Sequence, residues 1–392
     1  MPLTGLRVID LSRIIAGPFC AQLLGDMGAE VIKIETPNKG DPVRAQGAIK
    51  DGMSWYYAFY NRNKKSLTIN LRSAEGKAIL SDLIRTCDVV VENFRPGVME
   101  EMGFGYSHLQ QLKPDIIYCS ITGFGNSGPY KDRPAVDFIA QAMSGFMSVN
   151  GNEGEETLRA GIPVSDMVAG LYAAFGIMGA LAHRAKTGQG QEVQSSLVDG
   201  LVSMLSFMAS NYLASGRLPV RPGNDHPLVA PYGLFRCSDG EVAIAPSNDY
   251  MYSKFLSALG LEHLQHVAEF ATNELRMANK EKIRAVIQEV IERKPKSHWI
   301  EHLNKVGVPC GTVMNLAEVF ADEQVRHQEM VLDVSHPGNR VVKLLGFPVK
   351  LSRTPCRVAR HAPDLGEHTD EILSAMGLSR EKIDELRHLG VV

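Results

Sequence analysis

The chain has 392 residues, is 44% hydrophobic and 22% charged, and carries a formal net charge of −3. That leaves room for two domains of ordinary size in a normal soluble, globular composition. It argues against nucleic acid as the main partner, because no global basic surface is available. The six cysteines (Cys20, Cys87, Cys119, Cys237, Cys310, Cys356) are scattered with no C-x-x-C pair. That pattern fits reduced thiols in a cytoplasmic enzyme better than a disulfide framework.

The N-terminus runs straight into "LRVIDLS" (6–12), which reads as a buried strand, with no leader-like segment before it. A Gly-Pro turn, a helical "PFCAQLLGDMGA" and a second strand, "EVIKIE" (30–35), complete a βαβ unit. "KSLTINL" (65–71), "DVVVEN" (88–93) and "DIIYCSIT" (115–122) continue the strands, and Ser73 caps the helix between the first two of them. Strands alternating with helices predict an open, mostly parallel α/β sheet.

A long apolar helix is expected over about 166–186, closed by Gly188. Its charge-free run, Met167 to Ala182, is sixteen residues. A membrane span needs about 20, so a buried helix is the better reading and no membrane partner is expected. A second apolar helix is expected over "SSLVDGLVSMLSFMASNYLA". The Pro- and Gly-rich stretch 216–233 marks a boundary, a hairpin is expected around Asp239-Gly240, and amphipathic helices follow to about 325. A β-like "NRVVKLLGFPVKLS" and a polar helix close the chain.

Two motif matches are weak. "GFGNSG" (123–128) satisfies G-x-G-x-x-G after a strand, but Pro129 and Pro134 prevent the helix start that a dinucleotide site requires. "HWIEH" (298–302) matches a zinc-peptidase spacing. Its apolar neighbours form one helical stripe, no third ligand is identifiable, and no metal is expected.

Asp166 stands directly before the charge-free run. One reading makes it an N-cap, a place Ser165 could equally fill. The other makes it a reactive carboxylate, partly desolvated by the apolar helix and surrounded by small residues that leave room for a substrate. A carboxylate is a covalent nucleophile when the electrophile is an activated acyl or phosphoryl group.

The segments "GLRVIDLSRIIAGPFCAQLLGDMGAEVIKIE", "NRNKKSLTINL", "DVVVENFRPGVMEEMGFGY", "IIYCSITGFGNSGPY" and "TGQGQEVQSSLVDG" resemble the family III coenzyme A transferases, a family that also includes the α-methylacyl-CoA racemases. The resemblance is tightest over 5–200. It implies a Rossmann-like large domain (1–200, completed by 331–392), a linker helix and boundary (201–224), a smaller α+β domain (225–330) and an interlocked homodimer. It implies coenzyme A as the acyl-CoA substrate, with no permanently bound cofactor, and it places the nucleophilic aspartate on Asp166. It puts Ile15 and Ala16 in a CoA-contacting loop, Ile69 and Arg72 beside the adenosine, and Asn93, Phe94, Arg95 and Met102 in a further CoA-binding segment. Lys39, Arg44, Arg72 and Arg95 would offset the phosphates. His226 falls in a mobile active-site loop. It and Arg44 are the candidate partners for a second substrate carboxylate.

The chain departs from parts of the family pattern. Some members have Gln where Ile15 stands, and an arginine of the family is Thr36 here. The glycine-rich loop of formyl-CoA transferases is not recognisable. The racemase branch has a histidine where Val136 stands, so two-base racemisation lacks a partner for Asp166. The expectation is transfer of CoA from succinyl-CoA to a small dicarboxylate such as glutarate, itaconate or mesaconate. A racemase or a non-catalytic CoA-binding protein is the alternative.

Overall fold

The apolar runs of the first half become the strands of one sheet. The computed structural model describes residues 1–392. Its central sheet contains β1 (Arg7–Asp10), β2 (Glu30–Glu35), β3 (Lys64–Thr68), β4 (Val89–Glu92), β5 (Ile117–Thr122) and β6 (Glu192–Ser196). Every pairing is parallel and the spatial order is β3-β2-β1-β4-β5-β6. This is the doubly wound order of Rossmann sheets. The helices that matter below are α1 (Ala16–Asp26), α2 (Ala74–Arg85), α3 (Asp137–Met143), α4 (Val164–Thr187) and α5 (Leu197–Ser203).

A parallel sheet is covered on both faces, so its strands are apolar throughout. Successive residues feed opposite cores. Val8, Val31, Val89 and Val91 pack on one face with Cys20, Leu24, Ala169, Ala173 and Ile177 of α1 and α4. Ile9, Ile32 and Val90 pack on the other with Leu80 and Leu83 of α2 and with Leu373 and Leu386 near the C-terminus. Helix α4 is 24 residues long and apolar enough to cross a membrane by length and composition. Here its small residues, Ala169, Gly170, Ala173, Ala174 and Ala180, are buried.

The chain divides into two compact units, residues 1–146, 159–206 and 323–392 in the first, and 147–158 and 207–322 in the second. The segment 147–158, read from the sequence as part of the large domain, therefore belongs to the second unit, and 323–330 to the first. The C-terminal residues complete the first unit with the hairpin β10 (Val331–His336) and β11 (Arg340–Leu345) and two short helices. The second unit has an antiparallel sheet of β7 (Gly233–Cys237), β8 (Gly240–Ile244) and β9 (Cys310–Thr312), with β8 in the middle. The hairpin at Asp239-Gly240 forms, with Gly240 opposite Cys237. Phe235, Val242, Phe255, Ile283, Ile287, Trp299 and Leu303 form its core. Trp299 lies inside, as the apolar stripe of "HWIEH" requires.

Two expected elements differ. The single helix over "SSLVDGLVSMLSFMASNYLA" is instead the end of β6, then α5, then a separate helix Ser206–Ser215. Ser206, the first residue of the second helix, adopts a positive φ of 49°, which breaks the helical path. The long helix also starts two residues before Asp166, with Pro163 in the cap position.

Candidate active site

In open doubly wound sheets, ligands bind beyond the C-terminal strand ends where the strand order reverses. Here that point lies between β1 and β4. The two loops leaving them are stapled together. The Asn93 amide accepts from Arg13 N–H and donates to Arg13 C=O, both at 2.8 Å. The Arg13 guanidinium lies 5.2 Å from the Phe94 ring centroid. Behind the first loop, Lys33 pairs with Asp41 at 2.9 Å and donates to Ser12 C=O at 2.9 Å, while Asp41 accepts from Ile14 N–H at 3.2 Å. One buried ion pair thus grips the backbone on both sides of Arg13. Ile14 has a φ of 71°, a left-handed conformation that is costly for a β-branched residue and persists only where surroundings enforce it.

Helix α4 brings Asp166 to these loops. Gly170 allows the close approach, because a Cβ there would lie 2.5 Å from the Ala16 carbonyl oxygen. Neither Asp166 nor Ser165 caps the helix, contrary to the first reading of this stretch. The proline fixes the start at Val164, which moves Asp166 into the first turn. Ser165 is instead held by Asp137, the first residue of α3, whose Oδ1 accepts Ser165 N–H at 2.9 Å and Ser165 Oγ–H at 2.8 Å. Asp137 Oδ2 accepts from Gln141 at 2.7 Å.

The Asp166 carboxyl is half-buried, and burial raises it from its ordinary 3.8 to about 7, with the Asp137 charge adding to the rise. No hydrogen bond pulls it back. The Asp166 charge also reaches the Tyr56 and Tyr60 phenols, adding to burial in raising both, Tyr60 to about 12. Tyr60 Oη lies 3.6 Å from Met167 Sδ.

Asp166 opens onto a cleft of about 800 Å³, within the range of small-molecule sites. Ile14, Ile15, Ala16, Asn93, Phe94 and Arg95 line it, together with Lys131, 133–139, Arg159 and Leu197. Four cations, Arg95, Lys131, Arg133 and Arg159, lie in its wall. The Arg133 guanidinium stacks 3.7 Å from the Tyr130 ring centroid. The cleft wall combines apolar residues with these four cations and two carboxylates, Asp137 and Asp166.

Of the residues singled out from the sequence, Asp166, Ile15, Ala16, Asn93, Phe94 and Arg95 come together here. The others lie elsewhere. Ile69 is a core residue, 1% exposed, and Met102 packs against the same core. Lys39 and Arg72 are exposed outside the cleft lining. Arg44 is committed to Glu35 (2.7 Å), Tyr57 Oη (2.6 Å) and Pro363 C=O (3.1 Å), so its charge is neutralised in place. His226 belongs to the second unit, where its ring lies 5.6 Å from Phe207 and 5.1 Å from Tyr232. Sequence reasoning missed Ile14, Lys131, Arg133, Asp137 and Arg159. A signal existed for the middle three: "PYKDRPAVD" follows the C-terminal end of a sheet strand, where doubly wound folds build their sites.

A Rossmann-ordered sheet with a cleft at its switch point and a carboxylate of raised pKa in the wall is the arrangement of a small-molecule site. Comparison with known proteins gives the particular family. The pattern of CoA-transferase family III matches residues 3–369. A succinate–glutarate CoA-transferase of Agrobacterium fabrum is 38% identical over 382 residues, covering 96% of each chain. A human succinyl-CoA:glutarate CoA-transferase is 37% identical over 393 residues, covering 100% of this chain and 90% of its own. The crystal structure of a CAIB/BAIF family protein from Brucella suis superimposes with a TM-score of 0.85 at 38% identity, over 96% of this chain and 99% of that one. The chain belongs to CoA-transferase family III.

Proposed function

We propose that this enzyme moves coenzyme A from succinyl-CoA to a small dicarboxylate, with glutarate the first candidate and itaconate and mesaconate next. The names of the Agrobacterium and human relatives support this choice of substrates. The observation that carries the chemistry is the Asp166 carboxyl, raised to about 7 in a cleft where no donor binds it.

The reaction proceeds by exchange at Asp166. Its carboxylate attacks the thioester carbonyl of the donor and expels CoA thiolate, leaving a mixed anhydride. The thiolate attacks the aspartyl carbonyl, which frees the donor acid and leaves an aspartyl-CoA thioester. The acceptor carboxylate attacks that thioester, again expelling the thiolate, which then takes the acceptor acyl group from the second anhydride and restores Asp166. Thioesters and anhydrides replace one another, so neither ATP nor metal enters. Both intermediates hydrolyse readily, so the chemistry requires water to be kept from the cleft once substrate is bound.

Ile15, Ala16 and Phe94 give the acyl-pantetheine arm an apolar wall. Arg95, Lys131, Arg133 and Arg159 supply the positive charge that phosphates and a second carboxylate require. Racemisation is disfavoured because Val136, which cannot carry a proton, stands beside Asp137 at the start of α3. The apolar residues that α4 leaves exposed, Leu171 at 52% and Phe175 at 76%, support an interlocked homodimer. The six free thiols support a reducing, cytoplasmic setting.

A panel of free acids assayed against succinyl-CoA tests the reading. Dicarboxylates should accept CoA at rates at least tenfold above monocarboxylates of equal length. Equal rates, or proton exchange at C2 of a 2-methylacyl-CoA without transfer, would overturn it.

A further inference from the structure

Five acids of this chain are buried: Asp10, Asp26, Glu35, Asp41 and Glu92. Four of them have a cation within 2.9 Å, namely Lys64, Arg62, Arg44 and Lys33 respectively. Glu92 is the exception. It is the last residue of β4, at the switch point, and is 3% exposed. A buried carboxylate without a counter-ion is costly and persists only where its hydrogen bonds are worth keeping.

Those bonds reach the cleft. Glu92 Oε2 accepts Phe94 N–H at 2.8 Å, and Oε1 accepts the Tyr118 hydroxyl at 3.1 Å. Phe94 lines the Asp166 cleft, and its neighbour Asn93 carries the staple to the β1 loop. Glu92 itself lines a second cavity of about 290 Å³. Arg95, Pro96 and Lys131 line both spaces. The charged and titratable groups that share this cavity with Glu92 are Arg95, Glu100, Tyr118, Lys131, Asp132 and Glu192.

We propose that Glu92 is a positioning residue for acyl-CoA binding: its buried carboxylate holds the Phe94 N–H and so sets the loop that presents Phe94 and Arg95 to the cleft. This rests on the reading that the cleft takes the acyl-CoA. Burial pushes the Glu92 carboxyl up to about 7, against hydrogen bonds from Ser120, Phe94 N–H and Tyr118 that pull it down, and with Glu100 adding to the rise. The anchor is therefore strongest above neutral pH and weakens as Glu92 takes a proton, since a neutral carboxyl accepts more weakly than a charged one.

The test measures succinyl-CoA binding to the Asp166→Ala protein, which cannot turn over, between pH 6 and 8.5. The dissociation constant should rise on the acid side of about pH 7. Adding Glu92→Gln should weaken binding at pH 8.5 by about tenfold, the scale of one hydrogen bond to a charged group, and flatten the profile. Adding Tyr118→Phe instead removes one bond to the charged form and should move the limb to higher pH. In the enzyme with Asp166 intact, Glu92→Gln should raise KM for succinyl-CoA and leave kcat within twofold. A pH-independent constant that neither substitution changes overturns the role of Glu92 while leaving the cleft as the acyl-CoA site. Failure of succinyl-CoA to bind at any pH overturns the cleft assignment itself. If Glu92→Gln does not fold, the Tyr118→Phe limb decides alone.

Discussion

Replacing Asp166 with Asn should stabilise the protein at alkaline pH while abolishing exchange. The carboxyl is held at about 7 rather than 3.8, a rise of about three units. Each unit corresponds to about 1.4 kcal/mol, so ionising Asp166 in the native state costs up to about 4 kcal/mol more than in the unfolded chain. The folded value lies above the unfolded one, so between them the native state holds the proton more tightly. The associated stability is fully present below about pH 4 and is lost as pH rises through about 7. Asn carries no charge to desolvate. Because Asp166 is only half-buried, water screens part of the penalty, and a gain of about 2–4 kcal/mol is expected at pH 8 with little change at pH 4. Urea unfolding of both proteins at both pH values reads this directly. A helix cap would respond differently: Asn caps as well as Asp, so stability would be almost unchanged at both pH values. Destabilisation at pH 8, or the same shift at both pH values, would refute the assignment of Asp166 as a desolvated, uncompensated carboxylate.

Asp137→Asn removes the charge that helps raise Asp166 and keeps an oxygen for Ser165 N–H, so the acid limb of kcat should move to lower pH. A limb that stays in place would show the two carboxylates to be uncoupled. Gly170→Ala places a methyl 2.5 Å from the Ala16 carbonyl oxygen, which is rigid backbone. Thermal unfolding should show a loss of about 1–3 kcal/mol, and transfer should slow because α4 carries Asp166 away from the β1 loop.

The four central strands of the sheet were legible because both faces of a central parallel strand are buried, and "VVVE" or "IYCSIT" then reads as a mostly apolar run; the edge strand Lys64–Thr68 was legible too, because most of its residues are also buried. The sixth, Glu192–Ser196, is an edge strand that alternates exposed and half-buried polar residues. Val193 is its only apolar residue, too little to mark a strand, and its last two residues were read as the start of the following helix. Asp166 was legible from its contrast with the apolar segment after it and, through the family resemblance, as the expected nucleophile, but its surroundings were not. Asp137 supplies the bonds to Ser165, from 28 residues upstream, and only the packed structure puts α3 against α4. Arg44 and Arg159 look alike in sequence. One is tied to Glu35 and the other lines the cleft, a difference made by partners distant along the chain. Glu92 precedes the "NFRPG" stretch that drew attention, yet its missing counter-ion is visible only beside the four buried acids that have one.

The most direct test of the central claim is the intact mass of the enzyme incubated with succinyl-CoA and no acceptor, followed by peptide mapping. Covalent catalysis at Asp166 predicts an added coenzyme A that maps to α4 at Asp166, is released by hydroxylamine, and is absent from Asp166→Ala. Turnover by an enzyme that never carries the adduct, or an adduct that persists in Asp166→Ala, would contradict it.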